Sequence, residues 1–114
     1  MRKKNLLIFE QLKEVAKKGS LKSKHAAAVV FKNKIVSIGY NYQIPKNKGY
    51  YTVHAERAAL MKCNQKLLKG SSLYVIRINK KGNRYCLSKP CPMCTSLINT
   101  FVNKYKMKQV YYSI

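Results

Sequence analysis

The chain has 114 residues and a mass of 13.2 kDa, room for one hydrophobic core and not two, and its hydrophobic content of 46% with 11% aromatics is that of a folded domain. No apolar run approaches the roughly 20 residues that a membrane-spanning helix needs, so no membrane segment is expected. Twenty-four Lys and Arg against three Asp and Glu give a net charge of +21, which favours nucleotides, nucleic acid or another anionic partner. An AT-rich genome would also enrich Lys, Asn, Ile and Tyr, so the charge by itself identifies no ligand.

The N-terminal "MRKKNLLIFEQLKEVAKKG" is interrupted by Glu10 and Lys13 and has no small-residue cleavage site, which reads against a signal peptide. A cytoplasmic location is therefore expected, where the four cysteines stay reduced or bind metal. Within residues 5–17, Leu6, Phe9, Leu12, Val15 and Ala16 recur at a helical period, with Asn5 as a cap. Next come two short apolar runs, 26–31 and 35–40, joined by a turn around Asn33, the pattern of a hairpin. Both runs are almost continuously apolar, so helices are expected on both faces of the sheet.

From 42 to 53, "YQIPKNKGYYTV" has no clear period and reads as a long binding loop, whose Tyr50 and Tyr51, with Tyr40 and Tyr42, are candidates for stacking on a base. A second helix is expected from His54 to about Leu68, with Ala55, Ala58, Ala59, Met61 and Leu68 as its apolar positions and Gly70 as its stop. A strand over 72–78 follows, then a turn over Lys80–Asn83. A third helix in "PCPMCTSLINTFVNKY" would present Met93, Leu97, Ile98 and Phe101, and "KQVYYSI" closes as a strand. This order implies one layered α/β domain, 1–114, with helices on a mixed sheet.

Chemistry concentrates at two helix starts. Cys91 and Cys94 have the C-x-x-C spacing of zinc sites, which puts both on one helix face, in a first turn where the helix dipole favours thiolates. His54 is one of two histidines and Glu56 one of three acids. Two positions apart on a helix they differ by about 200°, so they converge only at its tip. There His54 can ligate a metal while Glu56 stands beside it and carries protons, and three protein ligands leave one position open for water. The other cysteines, Cys63 and Cys86, lack ligand spacing and read as packed thiols, and His25 as structural; a fourth ligand such as Cys86 would instead make the site closed and structural.

His54-Ala55-Glu56 followed by Pro90-Cys91-Pro92-Met93-Cys94 is the H-x-E, P-C-x-x-C pattern of zinc deaminases. On these motifs, with "GYN" ending the hairpin, "LYVIRI" and "VYYS" in the same order, the chain resembles the zinc-dependent cytidine and deoxycytidylate deaminase superfamily. The resemblance implies a three-layer helix/sheet/helix cytidine-deaminase-like domain with a mixed central sheet, short at its C-terminal side. It implies a Zn2+ cofactor on His54, Cys91 and Cys94, Glu56 as the catalytic acid/base, and Asn41 and the Ala55 amide contacting the sugar and base of a substrate.

A histidine as first ligand is similar to the deoxycytidylate and tRNA-adenosine branches, which tilts the substrate toward a phosphorylated one. The expected reaction turns the cytosine of a nucleotide such as dCMP into uracil plus ammonia. A deaminase of single-stranded nucleic acid or tRNA, and a catalytically inactive nucleic-acid-binding zinc module, stand as alternatives. Lys89, where relatives often carry Glu or Ser, is a departure that would suit a phosphate contact or simply solvent. Relatives continue past the last strand and assemble, so a homo-oligomer is expected, with substrate contacts drawn from residues 42–53, from a second subunit, or not made at all.

Overall fold

The computed structural model describes residues 3–18, 24–46, 49–79, 81, 84–88 and 90–113. The side chains of Asn5, Tyr50 and Tyr51, residue Lys89 and most of the expected Lys80–Asn83 turn lie outside the described residues. Helix α1, Lys3–Lys17, buries Ile8, Phe9, Leu12 and Ala16, one stripe at three- and four-residue spacing. Leu6, expected on that stripe, is exposed, and Ile8 takes the inner position.

Strands β1 (Lys24–Phe31) and β2 (Lys34–Tyr40) form the expected antiparallel hairpin, with Phe31 opposite Lys34 and a register shift between Val29 and Val30. Lys32 and Asn33 both have positive φ, 50° and 67°, the backbone of a two-residue turn whose twist matches its strands. Strands β3 (Tyr42–Lys46) and β4 (Gly49–Val53) pair antiparallel as a separate ribbon, where sequence reasoning expected a loop. Gln43, Ile44 and Pro45 are exposed, so burial leaves no alternation to read, and a two-stranded ribbon consists of edges that admit a proline.

Helix α2 covers only Ala55–Lys62. The expected continuation to Leu68 is broken at Cys63, which is extended (φ −73°, ψ 138°), and Asn64 then starts a 3-10 turn over Gln65–Leu67 by accepting from the Lys66 amide at 3.0 Å. Gly70, at φ 78°, turns the chain into β5 and does not stop the helix itself. Strand β5 (Ser72–Ile78), the two-residue β6 (Tyr85–Cys86), helix α3 (Pro92–Tyr105) and strand β7 (Gln109–Tyr112) complete the order.

The main sheet runs β2-β1-β5-β6, all antiparallel neighbours, while β7 pairs parallel with Ser72–Val75 of β5. It is therefore mixed, as expected. Alternate residues of β1 and β5 point to opposite faces. Ala26, Ala28, Val30, Tyr74, Ile76 and Ile78 pack with Ile8, Phe9, Leu12 and Ala16 of α1. Ala27, Val29, Leu73 and Val75 pack with Ala59 and Leu60 of α2 and Ile98 of α3.

The result is the three-layer α/β architecture, and no helix of the described residues is long and apolar enough to cross a membrane. One close approach fixes α2 on the sheet. A Cβ added at Gly39 of β2 would lie 2.7 Å from Ala59 N, 2.8 Å from Ala58 Cβ and 2.9 Å from Ala55 O. Ser37, on the same strand, donates to Ala59 O at 2.6 Å. Helix α2 thus rests backbone against backbone on β2, which sets where its first residue stands.

Candidate metal centre

Strand β4 ends at Val53, and His54 is the N-cap of α2 with extended backbone (φ −77°, ψ 150°) and no capping hydrogen bond from its side chain. Its imidazole is thereby left for other partners. Cys91 is the N-cap of α3, Pro92 occupies the first turn, and the Cys91 thiol accepts from the Cys94 amide at 3.4 Å. The two helix starts meet. His54 Nδ1 lies 3.1 Å from Cys94 Sγ and 3.7 Å from Cys91 Sγ, and the three ligand atoms all lie within 4.8 Å of one another.

Glu56 sits in the first turn of α2 and is 4% exposed. Burial pushes the Cys94 thiol well above its ordinary range, and the Glu56 carboxylate adds to this by its charge and a hydrogen bond, as does Cys91. Glu56 therefore faces Cys94 from the first turn of α2, beside the group of three ligand atoms and not one of them. One imidazole nitrogen and two thiol sulfurs are the donor set that zinc takes at a three-ligand site. A buried carboxylate beside two thiols also favours a cation, which would hold the sulfurs as thiolates. The residues present fit zinc.

A small cavity of about 50 Å³ opens beside this group, lined by Thr52, His54, Arg57, Met93, Cys94 and Leu97. Sequence reasoning did not single out Thr52 or Arg57, and it placed Met93 on the packed face of its helix, whereas Met93 is 67% exposed. One signal was legible: Arg57 puts a cation in the first turn of a helix, where the dipole favours acids. No carboxylate among the described residues pairs with it.

Asn41, directly after β2, is buried; its Oδ1 accepts from the His25 amide at 3.0 Å, and its own amide donates to His25 O at 3.4 Å. It ties the start of β1 to the end of β2. Ala55 is fully buried as the first residue of α2, whose opening N–H groups have no partner within the helix. Cys86 is outside the metal-type group, its carbonyl accepting from Ser113 Oγ at 2.7 Å, and Cys63 is packed in the core. Tyr40 and Tyr42 lie edge to face with each other, ring centroids 6.2 Å apart.

A family model described as the cytidine and deoxycytidylate deaminase zinc-binding region matches residues 2–113. No protein of curated function matches the chain in sequence. Among solved structures, RibD of Acinetobacter baumannii superposes with a TM-score of 0.58 at 21% identity, over 96% of this chain and 28% of that one. The dCMP deaminase of cyanophage S-TIM5, in complex with dCMP and dUMP, gives 0.59 at 20% identity, over 98% of this chain and 82% of that one. A diaminohydroxyphosphoribosylaminopyrimidine deaminase/5-amino-6-(5-phosphoribosylamino)uracil reductase of Thermotoga maritima gives 0.60 at 22% identity, over 96% and 29%. These likenesses show the fold, and the chain spans less than a third of the length of the RibD and Thermotoga proteins.

Proposed function

The chain belongs to the cytidine and deoxycytidylate deaminase family, and from that premise we propose that it hydrolyses the exocyclic amine of cytosine in a nucleotide such as dCMP, giving uracil and ammonia. The observation that carries this reading is the meeting of His54, Cys91 and Cys94 at two helix starts with buried Glu56 beside them. His54, Cys91 and Cys94 would hold zinc, which when bound supplies the positive charge that makes water acidic enough to react near neutral pH.

The remaining work falls to the chain's own groups. Glu56 takes one proton from the attacking water and gives it to the ring nitrogen. It then takes the remaining proton from the oxygen now bonded to the ring carbon and gives it to the amine, so that the carbonyl forms as the C–N bond breaks and ammonia leaves. Its burial suits this role, because a carboxylate shielded from bulk water exchanges protons with the substrate and not with solvent. The Ala55 amide, at the start of α2, would orient the base. Asn41, buried directly after β2, would contact the sugar.

Arg57, on the rim of the cavity beside His54 and Cys94, suits a phosphorylated substrate, since a guanidinium binds phosphate through two parallel hydrogen bonds. A second reading, an aminopyrimidine carrying a phosphoribosyl group, is favoured by the likeness to the Thermotoga protein. One cytoplasmic domain suits a site of reduced thiols, and assembly into a homo-oligomer suits exposed Met61 and Met93 on α2 and α3.

The test is ammonia release by zinc-loaded protein from dCMP, deoxycytidine, a phosphoribosyl aminopyrimidine and a cytosine-containing single strand. Release fastest from dCMP supports the reading. Preference for the phosphoribosyl compound moves the substrate to the second, preference for the single strand moves it to a polymer, and no release from any favours an inactive zinc module.

A further inference from the structure

The outer edge of β5 is shared by two strands, and the place where one hands over to the other lies just ahead of Cys91. Strand β7 pairs with Ser72–Val75, and β6 pairs with Arg77 and Ile78. Two buried serines close the joint between them. Ser113, directly after β7, donates its amide to Val75 O at 3.0 Å. Its hydroxyl accepts from the Arg77 amide at 3.1 Å and donates to Cys86 O at 2.7 Å. Ser88 donates its amide to Ser113 O at 2.9 Å, and its hydroxyl proton lies between Val75 O at 3.0 Å and Ser113 O at 3.2 Å.

Ser88 and Ser113 are 2% and 4% exposed, so each of these bonds lies where an unmade partner is costly. Residues 86–88 are thereby held to both β5 and β7. Only residues 89 and 90 separate Ser88 from Cys91. On the far side, α3 fixes the same short stretch, with the Thr95 amide donating to Cys91 O at 2.8 Å and the Thr95 hydroxyl to Pro90 O at 3.3 Å. Cys91 is thus held between two anchors, one of which is built from the end of β7, 22 residues further along the chain.

We infer that Ser88 and Ser113 are positioning residues that hold Cys91 at ligand distance from His54 and Cys94. The inference rests on the reading of that group as the zinc site. Neither serine touches the metal group itself. They act through the backbone of residues 86–88, as outer partners of metal ligands do elsewhere, where their loss costs roughly 10–100-fold in metal affinity.

The experiment compares Ser88→Ala, Ser113→Ala and Ser113→Thr with the parent, and uses Ser71→Ala as the control. Ser71 is also a fully buried serine whose hydroxyl donates to one carbonyl, Leu68 O at 2.6 Å, but it stands at the opposite end of β5. Zinc affinity is read by chelator competition, the thiolate-to-metal charge-transfer band by cobalt substitution, and the labelling rates of Cys91 and Cys63 by a maleimide on metal-free protein. Ser88→Ala and Ser113→Ala are expected to weaken zinc by about tenfold or more. They should shift the cobalt band and speed Cys91 labelling relative to Cys63. Ser113→Thr, which keeps the hydroxyl, restores all three.

Ser71→Ala should lower the unfolding midpoint and leave zinc affinity within about twofold, since its lost bond is remote from the ligands. Parental zinc affinity and Cys91 labelling in both alanine variants would overturn the inference. Should the parent bind neither zinc nor cobalt, the metal reading fails while the labelling rates still decide whether these serines position Cys91. Ser88→Ala, which keeps its backbone bond to Ser113, carries the test if Ser113→Ala does not fold.

Discussion

Alternate residues of β1 and β5 face α1 on one side of the sheet and α2 with α3 on the other, and the two sides use nearly the same apolar residue types to different ends. The α1 side is closed by aromatic packing. Phe9 meets Tyr74 edge to face at 5.8 Å, Tyr74 stacks on Tyr111 at 4.7 Å, and the Tyr85 hydroxyl donates to the Glu10 carboxylate at 2.8 Å. On the α2–α3 side the packing reaches Ala55, the first residue of α2, and directly beside it His54, Cys91 and Cys94 meet with Glu56 facing Cys94. Two of the three acids, Glu10 and Glu14, sit on α1 near solvent, and the third is buried at the metal group. Both faces of the sheet therefore carry core, but the metal-type group stands at one of them only, and substitutions on the α1 face should lower stability without touching that group.

The largest effect is expected from Glu56→Gln, which keeps shape and removes the proposed proton carrier. Turnover should fall by about 10²–10⁴-fold, with zinc content by metal analysis and the thermal midpoint both unchanged. On the opposite face, Leu12→Ala empties a fully buried position and should cost about 2–5 kcal/mol in urea unfolding. Turnover per folded molecule should stay that of the parent, and a loss there would show that the faces are coupled.

Gly39→Ala probes the seam between sheet and site. Its new Cβ collides with the backbone of α2, so unfolding should be easier by about 1–3 kcal/mol. Because the shifted helix carries His54 and Glu56, zinc affinity should fall as well, which distinguishes it from Leu12→Ala. Least is expected of Tyr85→Phe, which deletes an exposed hydrogen bond to Glu10 and should cost at most about 1 kcal/mol, with zinc affinity and turnover intact.

The two faces were not equally legible in the sequence. The helical stripe of α1, the hairpin with its turn at Asn33, the strand over 72–78 and the spacing of Cys91 and Cys94 all follow from local period and turn chemistry. The pairing of His54 with those cysteines was legible only as a motif, because the contact joins residues 37 and 40 positions apart. What stayed hidden depends on partners distant in sequence or on the absence of burial. The β3–β4 ribbon is exposed along Tyr42–Pro45, so hydrophobic alternation does not mark it. Helix α2 ends at Lys62 although good helix formers continue beyond it, because Asn64 spends its side chain on the backbone that follows. The joint made by Ser88 and Ser113 spans 25 positions and leaves no periodic trace.

The most direct test of the account is ammonia release from dCMP by the zinc-loaded parent and by zinc-loaded Glu56→Gln, each with its zinc content measured on the same sample. The account expects one zinc per chain in both, release by the parent, and loss of release in the variant by about 10²-fold or more. Equal release by both would remove Glu56 from the chemistry. A parent that holds zinc and releases no ammonia from dCMP would contradict the proposed reaction.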